Sequence, residues 1–322
     1  MYECKNILVT GCCGFIGSNF VNNFLKNYEN INIYNIDKID YCAREKNVIC
    51  VENYKFIKGD IKSVDLINFI LNQYQIDTII HFAAQSHVDN SFGNSIEFTN
   101  DNVLGTHTLL ECCRIYNKIK RFIHVSTDEV YGEVEENETC SENSLLNPTN
   151  PYAASKAAAE FLVRSYGISF KLPIIITRGN NVYGPLQYPE KLIPKFIFQI
   201  LDNKKCTIHG KGETVRNFIY IDDVSTAFEK ILFFGKIGQI YNIGTQNEYS
   251  VLQITQKLID ILKPDGRLDD YIEYVEDRKF NDKRYSICNK KLLDLGWKEE
   301  TEFNKGLQKT VEWYINNRDY WL

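Results

Sequence analysis

Three glycines, Gly11, Gly14 and Gly17, follow the apolar run Asn6 to Thr10 and precede a segment in which Phe15, Ile16, Phe20, Val21, Phe24 and Leu25 recur at helical spacing. A glycine turn between strand and helix lets backbone approach a pyrophosphate and points the free N–H groups of the helix start at that anion. The spacing alone is weak, because any tight strand-to-helix turn uses glycine in the same way. The rest of the chain adds context. Ile31 to Ile36, Tyr54 to Lys58, Thr78 to Phe82, Arg121 to Ser126 and Pro173 to Thr177 read as further buried strands separated by amphipathic segments.

This alternation predicts an α/β fold, a Rossmann-type doubly wound parallel sheet over residues 1–178. Beyond Arg178 the pattern changes to proline-containing loops, a helix from about Leu192 and a hairpin-like stretch at Ile208 to Thr214, which predicts a smaller C-terminal substrate-binding lobe over 179–322. Segments near 218–247 are expected to return to the first unit. Asp37, 20 residues beyond Gly17, closes the second strand where a carboxylate accepts hydrogen bonds from ribose hydroxyls. The same charge would repel a 2′-phosphate, which favours NAD over NADP, although Lys38 next to it keeps NADP open. Asp60 and Ile61, after the third strand, are placed to frame the adenine, or are only a polar strand end.

Tyr152 and Lys156 stand four apart behind Pro151, one turn apart on one helical face. An ammonium beside the phenol would draw its pKa towards neutrality and make it a general base, whereas an isolated Tyr/Lys pair would be a solvated helix pair. The fifth strand runs into Ser126-Thr127-Asp128-Glu129, at the carboxyl edge where ligands bind in open parallel sheets. Adjacent acids there are either an acidic turn or a pair whose mutual repulsion separates an acid from a base.

Composition narrows the classes. With 44% hydrophobic residues in 322, the chain can bury a sizeable core, and 37 Lys plus Arg against 42 Asp plus Glu leaves a net charge of -5, which argues against nucleic acid as partner. No apolar run approaches the roughly 18 residues of a membrane span, and no secretory pattern opens the sequence, so a cytoplasmic, membrane-free protein is expected. The ten cysteines are scattered without CxxC and the five histidines without ligand spacing. Reduced thiols and no metal are expected.

The motifs Thr10 to Gly17, Ser126-Thr127-Asp128-Glu129-Val130-Tyr131-Gly132, Tyr152-xxx-Lys156 and Asn181-Val182-Tyr183-Gly184-Pro185 together resemble the extended short-chain dehydrogenase/reductases, specifically the nucleotide-sugar 4,6-dehydratases, over nearly the whole chain. The Thr-Asp-Glu triplet is the specific part, because related epimerases and decarboxylases keep the Tyr/Lys pair without it. The resemblance implies that Thr127 orients the sugar 4-hydroxyl, Tyr152 with Lys156 takes its proton, Glu129 takes the C5 proton and Asp128 protonates the departing 6-hydroxyl. It implies a tightly held, recycled NAD whose site also takes in Phe15, Ile16, Ala83, Ala84 and Ser126. It places substrate contacts at Ser86, His87, Asn181, Lys191, Leu192, His209, Arg216, Arg278 and Asn281, the two arginines being suited to a diphosphate.

Phe280-Asn281-Asp282 and His209 depart from the bacterial dTDP-glucose dehydratases and are similar to plant-type UDP-glucose 4,6-dehydratases of UDP-rhamnose synthesis. UDP-glucose is the expected substrate and dTDP-glucose the alternative, with a UDP-sugar epimerase or a non-catalytic NAD-binding regulator as rivals. A homodimer packed through helices around Val103 to Tyr116 and Tyr152 to Tyr166 is implied, together with a separate downstream epimerase/reductase.

Overall fold

The computed structural model describes residues 2–276 and 282–321. Seven strands make the central sheet: β1 (Asn6–Thr10), β2 (Asn32–Asp37), β3 (Tyr54–Lys58), β4 (Thr78–His81), β5 (Arg121–Thr127), β6 (Ile174–Gly179) and, after three strands that belong to other sheets, β10 (Ile240–Ile243). Their order is β10-β6-β5-β4-β1-β2-β3 and every neighbour is parallel. Helices cover both faces, so the inner strands are apolar on both sides. In β1, Ile7 and Val9 point to one core with Phe20 and Phe24, while Leu8 points to the other with Ile67, Leu109 and Leu110. That is the period-2 alternation of a strand buried on both faces.

The order of connection reverses at β1, which has β2 on one side and β4 on the other. A crevice opens at the carboxyl ends of strands at such a switch point.

The remaining strands are β7 (Asn181–Tyr183), β8 (Cys206–His209), β9 (Val215–Tyr220), β11 (Glu248–Ser250) and β12 (Ile272–Val275). The stretch expected as a hairpin is not one: β8 pairs in parallel with β12, while β9 pairs with β7 and β11. Gly210 and Gly212 do take positive φ, as in a tight turn, but the chain leaving that turn joins a different sheet. The helix Ile221–Phe234 packs Phe228 against Phe20 and Phe82 at centroid distances of 6.0 and 4.8 Å, and β10 then enters the central sheet beside β6.

One buried ion pair anchors the carboxyl edge of the sheet. Arg178 on β6 meets Glu160 with Nη2 to Oε2 at 2.6 Å, and both side chains are at most 1% exposed. Arg178 Nη1 also donates to the Tyr131 hydroxyl at 2.8 Å, which in turn donates to Asn242 Oδ1 at 2.8 Å. The strand end, the helix Pro151–Ser169, the turn Asp128–Tyr131 and β10 are thereby tied together. Removing one partner of such a pair costs about 3–5 kcal/mol, because the other charge stays buried.

The ten cysteines are free thiols. Among the described residues, no helix is long and apolar enough to cross a membrane and no group of His, Cys, Asp and Glu could hold a metal ion.

Candidate active site

A cleft of about 750 Å³ runs from the glycine turn, along the carboxyl ends of the strands, to the segment around Lys191. At its first end, Gly11 has φ +72°, and a Cβ there would lie 2.5 Å from Ala83 N. A Cβ on Gly17 would lie 2.7 Å from Gly11 O and 2.8 Å from Cys12 Cα. Only hydrogen fits at these two positions. Gly14 caps the helix Phe15–Asn27 without a side-chain hydrogen bond, so Phe15 and Ile16 open that helix towards the cleft with their backbone donors uncapped. Asp37 sits at the end of β2 and its carboxylate accepts from Cys13 N–H at 2.9 Å and Ile39 N–H at 2.8 Å. Burial raises its pKa against those two donors. Ser126 Oγ is buried without a hydrogen-bond partner among the described residues, and Ala83 and Ala84 line the cleft just beyond β4. A glycine cradle, an open helix start, a ribose-side carboxylate and an unsatisfied hydroxyl fit a dinucleotide.

Lys38, which kept NADP open, is held by acids: its Nζ is 2.6 Å from Asp101 and 3.2 Å from Asp40. Asp101 also takes Lys62 Nζ at 2.6 Å, and Lys62 reaches Asp60 at 3.4 Å. Ile61, beside Asp60, is buried on the wall of the cleft.

The carboxyl edge of β5 combines two local geometries. Strand β5 ends at Thr127, whose hydroxyl caps the following turn by accepting from Glu129 N–H at 3.3 Å and lies 3.2 Å from Asp128 Oδ1. Asn150 caps the helix Pro151–Ser169 by accepting from Ala153 N–H at 2.8 Å, and Pro151 opens the first turn, which carries Tyr152 to the acids. Burial first, and then the Glu129 charge, push the Asp128 carboxyl up to about 7, against donors from Asn180 and Thr127. Burial likewise raises Glu129, opposed by Asn150, Arg216 and Lys191. Asp128 is thus poised to hold a proton near neutrality beside a second carboxyl, the arrangement that an acid and base pair requires.

The expected pairing of Lys156 with the phenol is corrected by the structure. Lys156 Nζ donates to Val125 O at 2.6 Å, and burial lowers its own pKa to about 8. Tyr152 is held well above its usual value by burial and by the facing Glu129 and Asp128 charges, with Thr127 acting the other way. Helical spacing brings Tyr152 and Lys156 to one face, but a buried ammonium takes the nearest carbonyl.

At the far end, Lys191 Nζ donates to Ser86 O at 2.9 Å, and His87 Nε2 lies 3.8 Å from Glu190. Leu192 starts the helix Leu192–Leu201. Asn181 on β7, His209 on β8 and Arg216 on β9 line the same cleft. The Arg216 guanidinium stacks 4.7 Å over the Tyr285 ring, and its charge lowers both acids. Arg278 and Asn281 lie outside the described residues. Every other site residue expected from the sequence is part of this one cleft.

The model of the GDP-mannose 4,6 dehydratase family matches residues 8–310. The chain belongs to that family. It is 51% identical over 325 residues to a trifunctional UDP-glucose 4,6-dehydratase/UDP-4-keto-6-deoxy-D-glucose 3,5-epimerase/UDP-4-keto-L-rhamnose-reductase of Arabidopsis thaliana, matching 99% of this chain and 48% of the plant protein. The chain thus spans about half the length of the plant relatives it matches. A dTDP-D-glucose 4,6-dehydratase of Dictyostelium discoideum is 48% identical over 362 residues, 99% of this chain and 83% of that protein. The crystal structure of a dTDP-glucose 4,6-dehydratase from Streptomyces venezuelae with NAD bound superposes with a TM-score of 0.93 at 38% identity, covering 98% of each chain.

Sequence reasoning missed Asn150 and Asn180. Asn150 had a local signal, an asparagine before a proline that opens a helix. Asn180 had none, because the partner that fixes it, Thr245, is 65 residues away.

Proposed function

We propose that the chain is an NAD-dependent nucleotide-sugar 4,6-dehydratase, a hydro-lyase that converts UDP-glucose to UDP-4-keto-6-deoxyglucose and water. The observation that carries this reading is the buried Asp128–Glu129 pair beside Tyr152 in a cleft that begins at a dinucleotide cradle. Bound NAD supplies a hydride acceptor at C4 and, later in the same turnover, the donor at C6. Thr127 orients the sugar 4-hydroxyl and Tyr152 takes its proton. The ketone acidifies the C5 hydrogen, which Glu129 removes. Asp128, protonated, gives its proton to the 6-hydroxyl, which departs as water. Glu129 returns its proton to C5, and passage of the proton on Tyr152 to Asp128 through solvent restores both groups for the next turnover. Asp37, with Lys38 held by Asp40 and Asp101, supports NAD over NADP.

The identity of 51% to the plant protein, against 48% to the Dictyostelium enzyme, supports UDP-glucose. Uracil and thymine differ by one methyl, worth about 1–3 kcal/mol in a tight pocket. Incubation with each sugar nucleotide separately, followed by mass spectrometry and NMR, is expected to show loss of one water and a C4 ketone, with kcat/KM higher for UDP-glucose. A higher value for dTDP-glucose reverses the substrate assignment, and no water loss from either overturns the reading.

We also propose a homodimer. Ile115 is 61%, Phe161 57% and Ile168 68% exposed on the helices Gly105–Tyr116 and Pro151–Ser169, an apolar face that a second copy would cover. Sedimentation is expected to give a dimer for the unaltered protein and a monomer for Phe161→Glu; a dimer in both would exclude this face. Epimerase and reductase steps would carry the product onward to UDP-rhamnose.

A further inference from the structure

Two carboxamides meet the catalytic acids in the same way. Thr245 N–H donates to Asn180 Oδ1 at 3.0 Å, and Asn180 Nδ2 donates to Asp128 Oδ2 at 2.7 Å. Ala153 N–H donates to Asn150 Oδ1 at 2.8 Å, and Asn150 Nδ2 donates to Glu129 Oε2 at 3.0 Å. A backbone N–H can only donate, so it fixes the oxygen of each amide and forces the NH₂ towards the carboxyl. Asn180 and Asn150 are 4% and 6% exposed. The socket of Asn180 is tight, since a Cβ on Gly244 would lie 2.8 Å from its Oδ1.

We propose that Asn180 and Asn150 are positioning residues that fix which oxygen of each carboxyl carries the transferable proton. An oxygen already accepting from an amide N–H is the poorer place for a proton. Asp128 Oδ1 accepts from the Thr127 hydroxyl at 3.2 Å, but a hydroxyl can turn to accept once Oδ1 is protonated whereas an amide NH₂ can only donate, so the proton of Asp128 is confined to Oδ1 and the proton that Glu129 collects to Oε1. Both transferable protons then have one address each, and neither carboxyl needs to rotate between accepting and donating. The other charged and titratable groups facing the pair are Arg216 on β9, Lys191 ahead of its helix, Asp282 and Tyr285 behind β12, and Tyr152. These charges bear on the acids through space, whereas the hydrogen bonds from the two asparagines each mark one oxygen.

This inference rests on the dehydratase reading, so the unaltered protein is assayed first. Asn150→Ser keeps a good helix cap but is too short to reach Glu129, and Asn150→Asp keeps the cap while replacing the donor with a repelling carboxylate. Asn150→Ser is expected to melt close to the unaltered protein, and Asn150→Asp below it, because it buries a second carboxylate beside Glu129. In both, the limb of the pH–rate profile set by Glu129 is expected to rise, by about one unit in Asn150→Asp. Asn180→Ala is expected to raise the limb set by Asp128 and to slow water loss about tenfold relative to C4 oxidation in single turnovers. A merely structural asparagine would change the melting temperature and leave both limbs and the ratio of the two steps in place. That result, with dehydration intact in the unaltered protein, overturns the inference alone. Absence of dehydration in the unaltered protein overturns the reading and the inference with it.

Discussion

Tyr152→Phe is expected to lower dehydration by about 10²–10⁴-fold, the usual range for loss of a positioned general base. The phenol is the group placed to take the proton of the 4-hydroxyl, and without it the ketone that acidifies C5 does not form. The loss therefore falls on the first step. Deuterium at C5 of the sugar should stay in place during incubation with the variant, and the ultraviolet absorbance of reduced nicotinamide should not rise. Folding is expected to survive, because the ring keeps its edge contact with Phe98, at a centroid distance of 6.3 Å, and loses only its hydroxyl. Exchange of C5 deuterium at the unaltered rate would show that another group carries out the oxidation step.

The same site predicts how that base is charged. Burial and two facing carboxylates hold the Tyr152 phenol up, and Lys156 is engaged with Val125. A phenol that keeps its own proton cannot accept another, so Tyr152 acts as the phenolate, and with its pKa held up the rate of C4 oxidation should rise as pH rises. Single-turnover C4 oxidation followed across the neutral and alkaline range checks this, and a rate independent of pH would remove the base role from Tyr152.

Asp128→Asn is expected to leave C4 oxidation largely intact and to slow loss of water roughly 100-fold, because the carboxamide can hydrogen-bond the 6-hydroxyl but cannot give it a proton. Single turnovers should accumulate the oxidised sugar with its 6-hydroxyl still attached. Equal slowing of both steps would remove the acid role from Asp128. Its pKa of about 7 adds a second signature. Water loss by the unaltered protein should decline as pH rises through about 7, where Asp128 loses its proton.

Stability carries the matching sign. The folded pKa of Asp128 lies above its ordinary value of 3.8, so between those values the folded state holds a proton that the unfolded state has released. Stability from this group is complete below 3.8 and is lost as pH rises through about 7. Asp128→Asn has no charge to bury and should melt higher than the unaltered protein at pH values above that range. The difference should shrink on acidification.

Much of this chain was readable without coordinates. The strand positions were legible because parallel strands covered on both faces must be nearly continuous apolar runs, as in Ile7-Leu8-Val9 and Ile79-Ile80. The glycine turn was legible because Gly11 and Gly17 occupy places where a Cβ collides with backbone, a requirement that leaves its mark at single positions. Thr127, Asp128, Glu129, Tyr152 and Lys156 could be singled out because each group lies within one strand end or one helical turn, so its chemistry is written as short spacing.

What tertiary structure decided was every contact between distant segments. The parallel pairing of β8 with β12 and the entry of β10 beside β6 depend on which edges and faces remain to be covered once the first six strands are assembled. No local period carries that information. The engagement of Lys156 with Val125 O follows from burial, since an ammonium removed from water takes whichever acceptor the fold brings nearest, while the partly exposed Lys38 is drawn by charge to Asp101. Asn180 is the clearest case. Sequence places it beside β7, but only the meeting of β6, β10 and the turn after β5 puts one end of its amide on Thr245 N–H and the other on Asp128. Local sequence determined which groups could do chemistry, and long-range packing determined which atoms of those groups face one another.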